Sequence, residues 1–215
     1  MERANISCRV LIFSKAPVPG QVKTRLIPSL GESGAAQLHR QLVERTLQTA
    51  FSARLGAIDL CCAPGTDDPY FADCAKRYGL GLRTQGEGDL GERMSRALES
   101  GLAEGTPGVL IGCDCPALTP DYLREAAAVL ANGSDAVFGP AEDGGYVLVG
   151  LGRMPTAGLF DNISWGTAAV MQQTRARLSQ LGWTWRELTT LWDVDRPEDL
   201  PRLRQMDGGP GVLKN

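Results

Sequence analysis

"VLIFSKAPVPGQVKTRL", Val10 to Leu26, sets an apolar run directly against a loop holding two prolines, a glycine and three cations. The run Val10–Phe13 reads as a buried strand. The residues after it are too rich in Pro and Gly to continue that strand. Gly20 lets backbone amides approach a ligand closely, and Lys15, Lys23 and Arg25 gather positive charge beside it. A loop of that make-up at the end of a strand suits a phosphate group.

Beyond this loop, strand-like and helix-like periods alternate, the pattern of an α/β protein with a largely parallel sheet between helical layers. Ala35, Leu38, Leu42, Thr46 and Ala50 recur at helical spacing, "AIDLCCAP" reads as a second strand, and "DDPYFADCAKRYG" as a helix closed by Gly79. A short third strand, "GLRTQ", leads to a helix capped by Asp89 with Leu90, Met94, Ala97, Leu98 and Leu102 on one face. "GVLIGCDCP" reads as a central strand, and Thr119 and Pro120 start the next helix. "DAVFGPAEDGGYVLVGL" breaks the alternation: Ala136–Phe138 and Tyr146–Val149 flank a Gly-rich turn, so antiparallel pairing and a mixed sheet are expected. A helix is expected from about Thr167 to Gln180, then a strand in "WTWREL", a short helix in "RPEDLPRLRQM" and a frayed tail over 207–215.

The chain has 215 residues, 43% hydrophobic and 22% charged, enough for one domain with a sizeable core, here expected over about 8–204. A net charge of −3 gives no basic face for nucleic acid, so the loop cations act as a local cluster toward a small anion. No apolar run approaches the length of a membrane helix, and Met1–Ser7 is short and polar for a signal, so no membrane partner and a cytoplasmic location are expected. Cys8, Cys61, Cys62, Cys74, Cys113 and Cys115 lack C-x-x-C spacing and read as reduced core thiols. Cys113 and Cys115 flank Asp114 and allow a thiol-metal site, against which stands the distance in sequence of the single histidine, His39.

Two motifs compete for the nucleotide. "GEGDLG", Gly86–Gly91, is a literal G-x-G-x-x-G, but its preceding strand is short and polar and Glu87, Asp89 and Glu92 would repel a pyrophosphate. Asp114 follows a strongly apolar strand and precedes Pro116, at a position where α/β sheets bind ligands. A divalent ion would offset the cost of desolvating it there; a turn or cap is the other reading. Asp193 and Asp195, in "WDVDRPEDL", either close a metal site from the far side or cap the next helix.

"FSKAPVPGQVKTRL", "GDLGERM", "IGCDCPAL", "GPAEDGGYVLVGL", "ISWGT" and "DVDRPEDL" occur in an order that resembles one family, the radical-SAM/selenodomain-associated transferase 1 family. That family is similar to phospholactate guanylyltransferases and shares the nucleotide-diphospho-sugar transferase (GT-A) fold. Some members carry an arsenosugar-biosynthesis glycosyltransferase label. The resemblance implies a three-layer α/β sandwich with Lys15, Gly20, Lys23 and Arg25 as the donor-phosphate loop and Arg93 facing the base or substrate. It implies Asp114 and Asp193 as ligands of Mg²⁺ or Mn²⁺, with Lys23 and Asp114 central to catalysis. "GCDCP" has one acid where many sugar-nucleotide transferases carry D-x-D, which places weight on the second carboxylate.

Asp143, Tyr146 and Trp165 are candidates to hold an acceptor, through hydroxyl contacts and ring stacking; a hairpin turn and a core plug are their plainer readings. The expected activity is metal-assisted transfer from a nucleotide or nucleotide-sugar donor to a small-molecule acceptor, nucleotidyl or glycosyl. The other reading is a non-catalytic nucleotide-binding or thiol-metal-binding accessory protein.

Overall fold

Successive side chains of a strand point to opposite faces, so the apolar run Val10–Ile12 can be buried only if helices cover both sides of its sheet. The computed structural model describes residues 7–103, 105–155 and 158–206 and shows this arrangement. Strand β1 (Arg9–Lys15) pairs in parallel with β2 (Ile58–Ala63) and with β4 (Gly108–Ile111), and β2 pairs in parallel with β3 (Gly81–Thr84). Strand β6 (Tyr146–Leu151) runs antiparallel between β4 and β5 (Ala136–Pro140), and β7 (Trp185–Glu187) lies parallel to β5 at the edge. The order β3-β2-β1-β4-β6-β5-β7 is a mostly parallel mixed sheet, and the hairpin expected around "EDGGY" is its antiparallel element.

Val10 and Ile12 join one core with α1 (Ile27–Ala53), α2 (Pro69–Tyr78) and α4 (Pro120–Ala131). Leu11 joins the other with α3 (Leu90–Ala103) and α5 (Val170–Gln180). The start and stop residues act as their chemistry dictates. Asp68 accepts from the Tyr70 amide and Thr119 from the Tyr122 amide, while Gly79, at φ 63°, ends α2. Helix α5 begins at Val170, three residues later than expected, because the Thr167 hydroxyl turns back to donate to the Ser164 carbonyl and accepts from the Ala169 amide. The expected tail, 207–215, lies outside the described residues.

A third, smaller core decides where the end of the chain goes. Trp192 and Val194 pack with Leu26, Leu38, Leu42, Leu200 and Leu203, joining the segment after β7 to the root of α1 and to α6 (Leu200–Met206). Backbone bonds carry that segment across the sheet: Leu188 donates to Phe138 O, Leu191 to Pro140 O and Val194 to Asp114 O, each at 2.8–2.9 Å. Because Trp192 and Val194 point into this core, Asp193 and Asp195 alternate outward.

Candidate functional site

The chain leaves β1 for β2 on one flank of the sheet and leaves its neighbour β4 for β5 on the other, with α1 and α4 on one face, and a crevice lies beyond the C-terminal ends of the pair. Two hollows meet there. The first, a cleft of about 500 Å³, is lined by Lys15, Lys23, Arg25, His39, Gln85 and Arg93, with Asp114 and Asp195 on its rim. The second, about 220 Å³, is walled by Phe13, Met94, Leu110, Tyr146 and Trp165 and holds Asp143 and Asp193. Both include Phe13, Leu90, Gly112 and Asp114.

The loop after β1 delivers its cations unequally. Lys23 adopts the left-handed conformation, φ 48° and ψ 41°, which turns its side chain inward until only 4% of it is exposed. Its ammonium lies 2.7 Å from Asp114 Oδ1 and also donates to Val194 O, so one lysine ties the loop, the end of β4 and the returning segment together. Arg25 is exposed and pairs with Asp195. Gly20 does not line the cleft. It is needed for its φ of 79°: a Cβ there would meet Glu32 at an ordinary 3.5 Å, so close backbone approach is not what requires glycine.

Two residues that sequence reasoning passed over shape this cleft. His39, distant in sequence from Cys113, is brought by α1 to the cleft that Cys113 also lines, and its Nε2 donates to the Lys15 carbonyl at 3.0 Å. Burial lowers its pKa and keeps the ring neutral, as a donor holding the loop rather than as a charge. Gln85 is buried at the end of β3, donating to Cys61 O at 2.9 Å and to Ser14 O at 3.2 Å, and its Oε1 accepts from Arg93 Nη1 at 3.1 Å. Arg93 is thus held over the cleft. A polar residue closing a strand just before a Gly-rich turn was the available cue. The literal "GEGDLG" serves the same helix start: Asp89 and Glu92 exchange side-chain bonds with each other's amides at 2.8 and 2.9 Å.

On the other side, "EDGGY" and "ISWGT" form one wall. Gly144, at φ 90°, sits so close to Ala168 that a Cβ would lie 2.3 Å from its carbonyl oxygen, and the Met171 amide donates to Gly144 O. Asp143 Oδ1 accepts from the Gly145 amide at 2.8 Å, which is the turn expected there. Tyr146 contributes its ring, packed edge-on against Phe138 and Trp165. Its hydroxyl, expected to reach an acceptor, is instead buried beside Thr174 and, like Trp165 Nε1, has no hydrogen-bond partner among the described residues.

The carboxylates separate into roles. Asp193 has its pKa pushed up to about 6, first by burial and then by the charges of Asp143 and Asp114. Asp195 pairs with Arg25, and the acid that caps the next turn is Asp199, which accepts from the Asp195 and Arg196 amides. Neither Asp193 nor Asp195 is the cap. Negative charge accumulates around Asp193 with Lys23 as its nearest counter-charge, and such a place favours a cation. Among the described residues no group of three or more His, Cys, Asp or Glu forms a ready metal cluster. Two carboxylates with the rest of the shell from a nucleotide is nevertheless how Mg²⁺ is commonly bound, so Asp114 and Asp193 fit that ion's chemistry. The thiols do not share in this: Cys113 donates to Phe13 O, and burial pushes Cys115 up to about 12.

This sheet order, with a cationic loop after β1 and an acid after β4, is the nucleotide-diphospho-sugar transferase fold. The chain belongs to the family described as "Uncharacterized protein conserved in bacteria (DUF2064)", which matches residues 46–167. No protein of curated function matches it. Among solved structures it is similar to a provisionally described nucleotide-diphospho-sugar transferase from Desulfovibrio desulfuricans G20, at 32% identity and TM-score 0.84, covering 95% of this chain and 89% of that one. It is similar in fold to a nucleotidyl transferase from Methanothermobacter thermautotrophicus, at 15% identity and TM-score 0.63 over 93% and 97% of the two chains. The same holds for a cytidylyltransferase from Leptospira borgpetersenii, at 11% identity and TM-score 0.59 over 96% and 89%. No helix among the described residues is long and apolar enough to cross a membrane.

Proposed function

We propose that the protein transfers a group from a nucleotide-activated donor to the hydroxyl of a small acceptor, with donor phosphates in the cationic cleft and the acceptor in the apolar pocket. The observation that carries this reading is that both hollows open on Asp114, the residue to which Lys23 and the Asp193 segment are tied. Lys15, Arg25 and Arg93 bind and orient the phosphates, and Lys23 supplies positive charge beside the point where charge grows on the leaving oxygens. Phe13, Met94 and Trp165 exclude water and hold the acceptor body so that its hydroxyl meets the donor at the Asp114 end. Mg²⁺ or Mn²⁺, held by Asp114 and Asp193, would polarise the phosphate oxygens. No nucleophile from the protein is required.

A cationic loop of this size suits a triphosphate and favours nucleotidyl transfer, with pyrophosphate leaving. The resemblance to the radical-SAM/selenodomain-associated transferases favours glycosyl transfer, with a nucleoside diphosphate leaving. A screen of nucleoside triphosphates and nucleotide sugars by thermal shift, with and without Mg²⁺, tests the proposal. Stabilisation by at least one nucleotide, larger with Mg²⁺ and lost in a Lys23→Ala and Arg25→Ala double variant, is expected. Stabilisation by none would overturn it. Release of pyrophosphate or of nucleoside diphosphate then assigns the reaction, and an Asp114→Asn variant as active as wild type would leave a binder rather than a transferase.

A further inference from the structure

The two hollows differ in the sign of their charge, and that difference constrains the acceptor. The described residues lining the smaller pocket include no Lys, Arg or His. Among the described lining residues the acids are Asp114, Asp143 and Asp193, and the rest is apolar side chain and aromatic ring with the Cys115 thiol, the Thr167 hydroxyl and the peptide edges of glycines. The nearby cations are engaged elsewhere. Lys23 pairs with Asp114 and lines the cationic cleft, Arg25 pairs with Asp195, and Arg93 is tied to Gln85.

From this, and resting on the proposed reading of the pocket as the acceptor site, we infer that the acceptor is an alcohol with an apolar body and no negative charge, and that the pocket prefers an amino alcohol to the corresponding carboxylate or phosphate. A carboxylate or phosphate placed between these walls would be desolvated with no cationic side chain among the described lining residues and would face three carboxylates. An ammonium group meets the reverse, with three acids and the rings of Tyr146 and Trp165 in the lining.

Three probes of similar shape separate the possibilities: 2-phenylethanol (neutral), phenylalaninol (cationic) and 3-phenyllactate (anionic). Their binding is titrated by saturation-transfer NMR on the full chain, both nucleotide-free and with Mg²⁺ and a nucleotide found by the thermal-shift screen. Phenylalaninol should bind at least about tenfold tighter than phenyllactate, with phenylethanol between them. Asp143→Asn should narrow that gap, and Thr167→Lys, which sets a cation at the exposed rim, should narrow or reverse it. Equal or tighter binding of phenyllactate by the wild type overturns the inference, as does failure of all three probes at millimolar concentration. If no nucleotide binds, the functional proposal fails, and the nucleotide-free titration still decides the charge preference.

Discussion

The cationic cleft and the apolar pocket, proposed to take donor and acceptor, share one aspartate and are built by opposite means. The cleft is polar and cationic, and three of its cations are restrained by a second residue: Lys23 by Asp114, Arg25 by Asp195, Arg93 by Gln85. The pocket is shaped by packing, with Gly144 pressed on Ala168 and the Tyr146 ring T-shaped against Phe138 and Trp165. A site that must recognise phosphates relies on fixed charge; one that must recognise a carbon skeleton relies on shape. The contrast also explains why the Tyr146 hydroxyl and Trp165 Nε1 are buried with no hydrogen-bond partner among the described residues, since both rings are placed as walls.

Removing the shared carboxylate should have the largest effect. Asp114→Asn is expected to lower turnover by about 10²–10³, while nucleotide affinity changes far less, because a group acting on charge that develops during reaction matters most in the transition state. Steady-state kinetics beside titration calorimetry checks this. Asp193→Asn should act in the same direction, and the double variant should be little worse than the poorer single one if both serve one ion. An effect from Asp195→Asn in place of Asp193→Asn would move the second ligand by two positions.

Next comes the cleft alone. Lys23→Ala should weaken nucleotide binding by roughly 1.5–3 kcal/mol, about ten- to a hundredfold in Kd, since it removes a nearly buried charge that also anchors Val194. Arg25→Ala should cost less, because its guanidinium is exposed and screened. Equal losses from the two would mean that burial does not separate their roles.

A smaller effect of the opposite sign distinguishes the pocket from the cleft through stability. Asp193 has a folded-state pKa of about 6 against an ordinary 3.8, so the folded protein holds that proton more tightly than the unfolded chain. Its contribution to stability therefore falls as pH rises from about 4 to 6 and stays low above that. In metal-free protein, Asp193→Asn should raise Tm by about 2–4 °C at pH 8 and by little at pH 4. Melting curves at the two pH values decide it, and added Mg²⁺ should cancel the gain. Smallest of all, Cys113→Ala with Cys115→Ala should leave Mg²⁺-dependent nucleotide binding within about twofold if the thiols only fill space. A folded variant without binding, or stoichiometric zinc or copper in wild-type protein, would assign them to a thiol site instead.

Much of this was legible along the chain wherever the pattern is local. Strand alternation around Val10–Phe13, the Thr119-Pro120 helix start, the Gly79 stop and the "EDGGY" hairpin depend on residues a few positions apart, and each formed where expected. The start of α5 did not, because the Thr167 hydroxyl competes with the helix for the same backbone groups. His39 reads as a residue of a helical stretch, and so it is, but its bond to the Lys15 carbonyl depends on how α1 lies against β1, which helical periodicity does not encode.

Short segments were enough for the α/β class, the cationic loop after the first strand and the aspartate after the central one, because strand period, turn residues and charge are local properties. It took the folded chain to bury Lys23 on Asp114, to bring Gln85 and His39 to the cleft, and to turn Asp193 rather than Asp195 toward the pocket. Those outcomes depend on where a small core formed by Trp192, Val194 and Leu26 docks the end of the chain, and burial between segments more than 160 positions apart leaves no local trace.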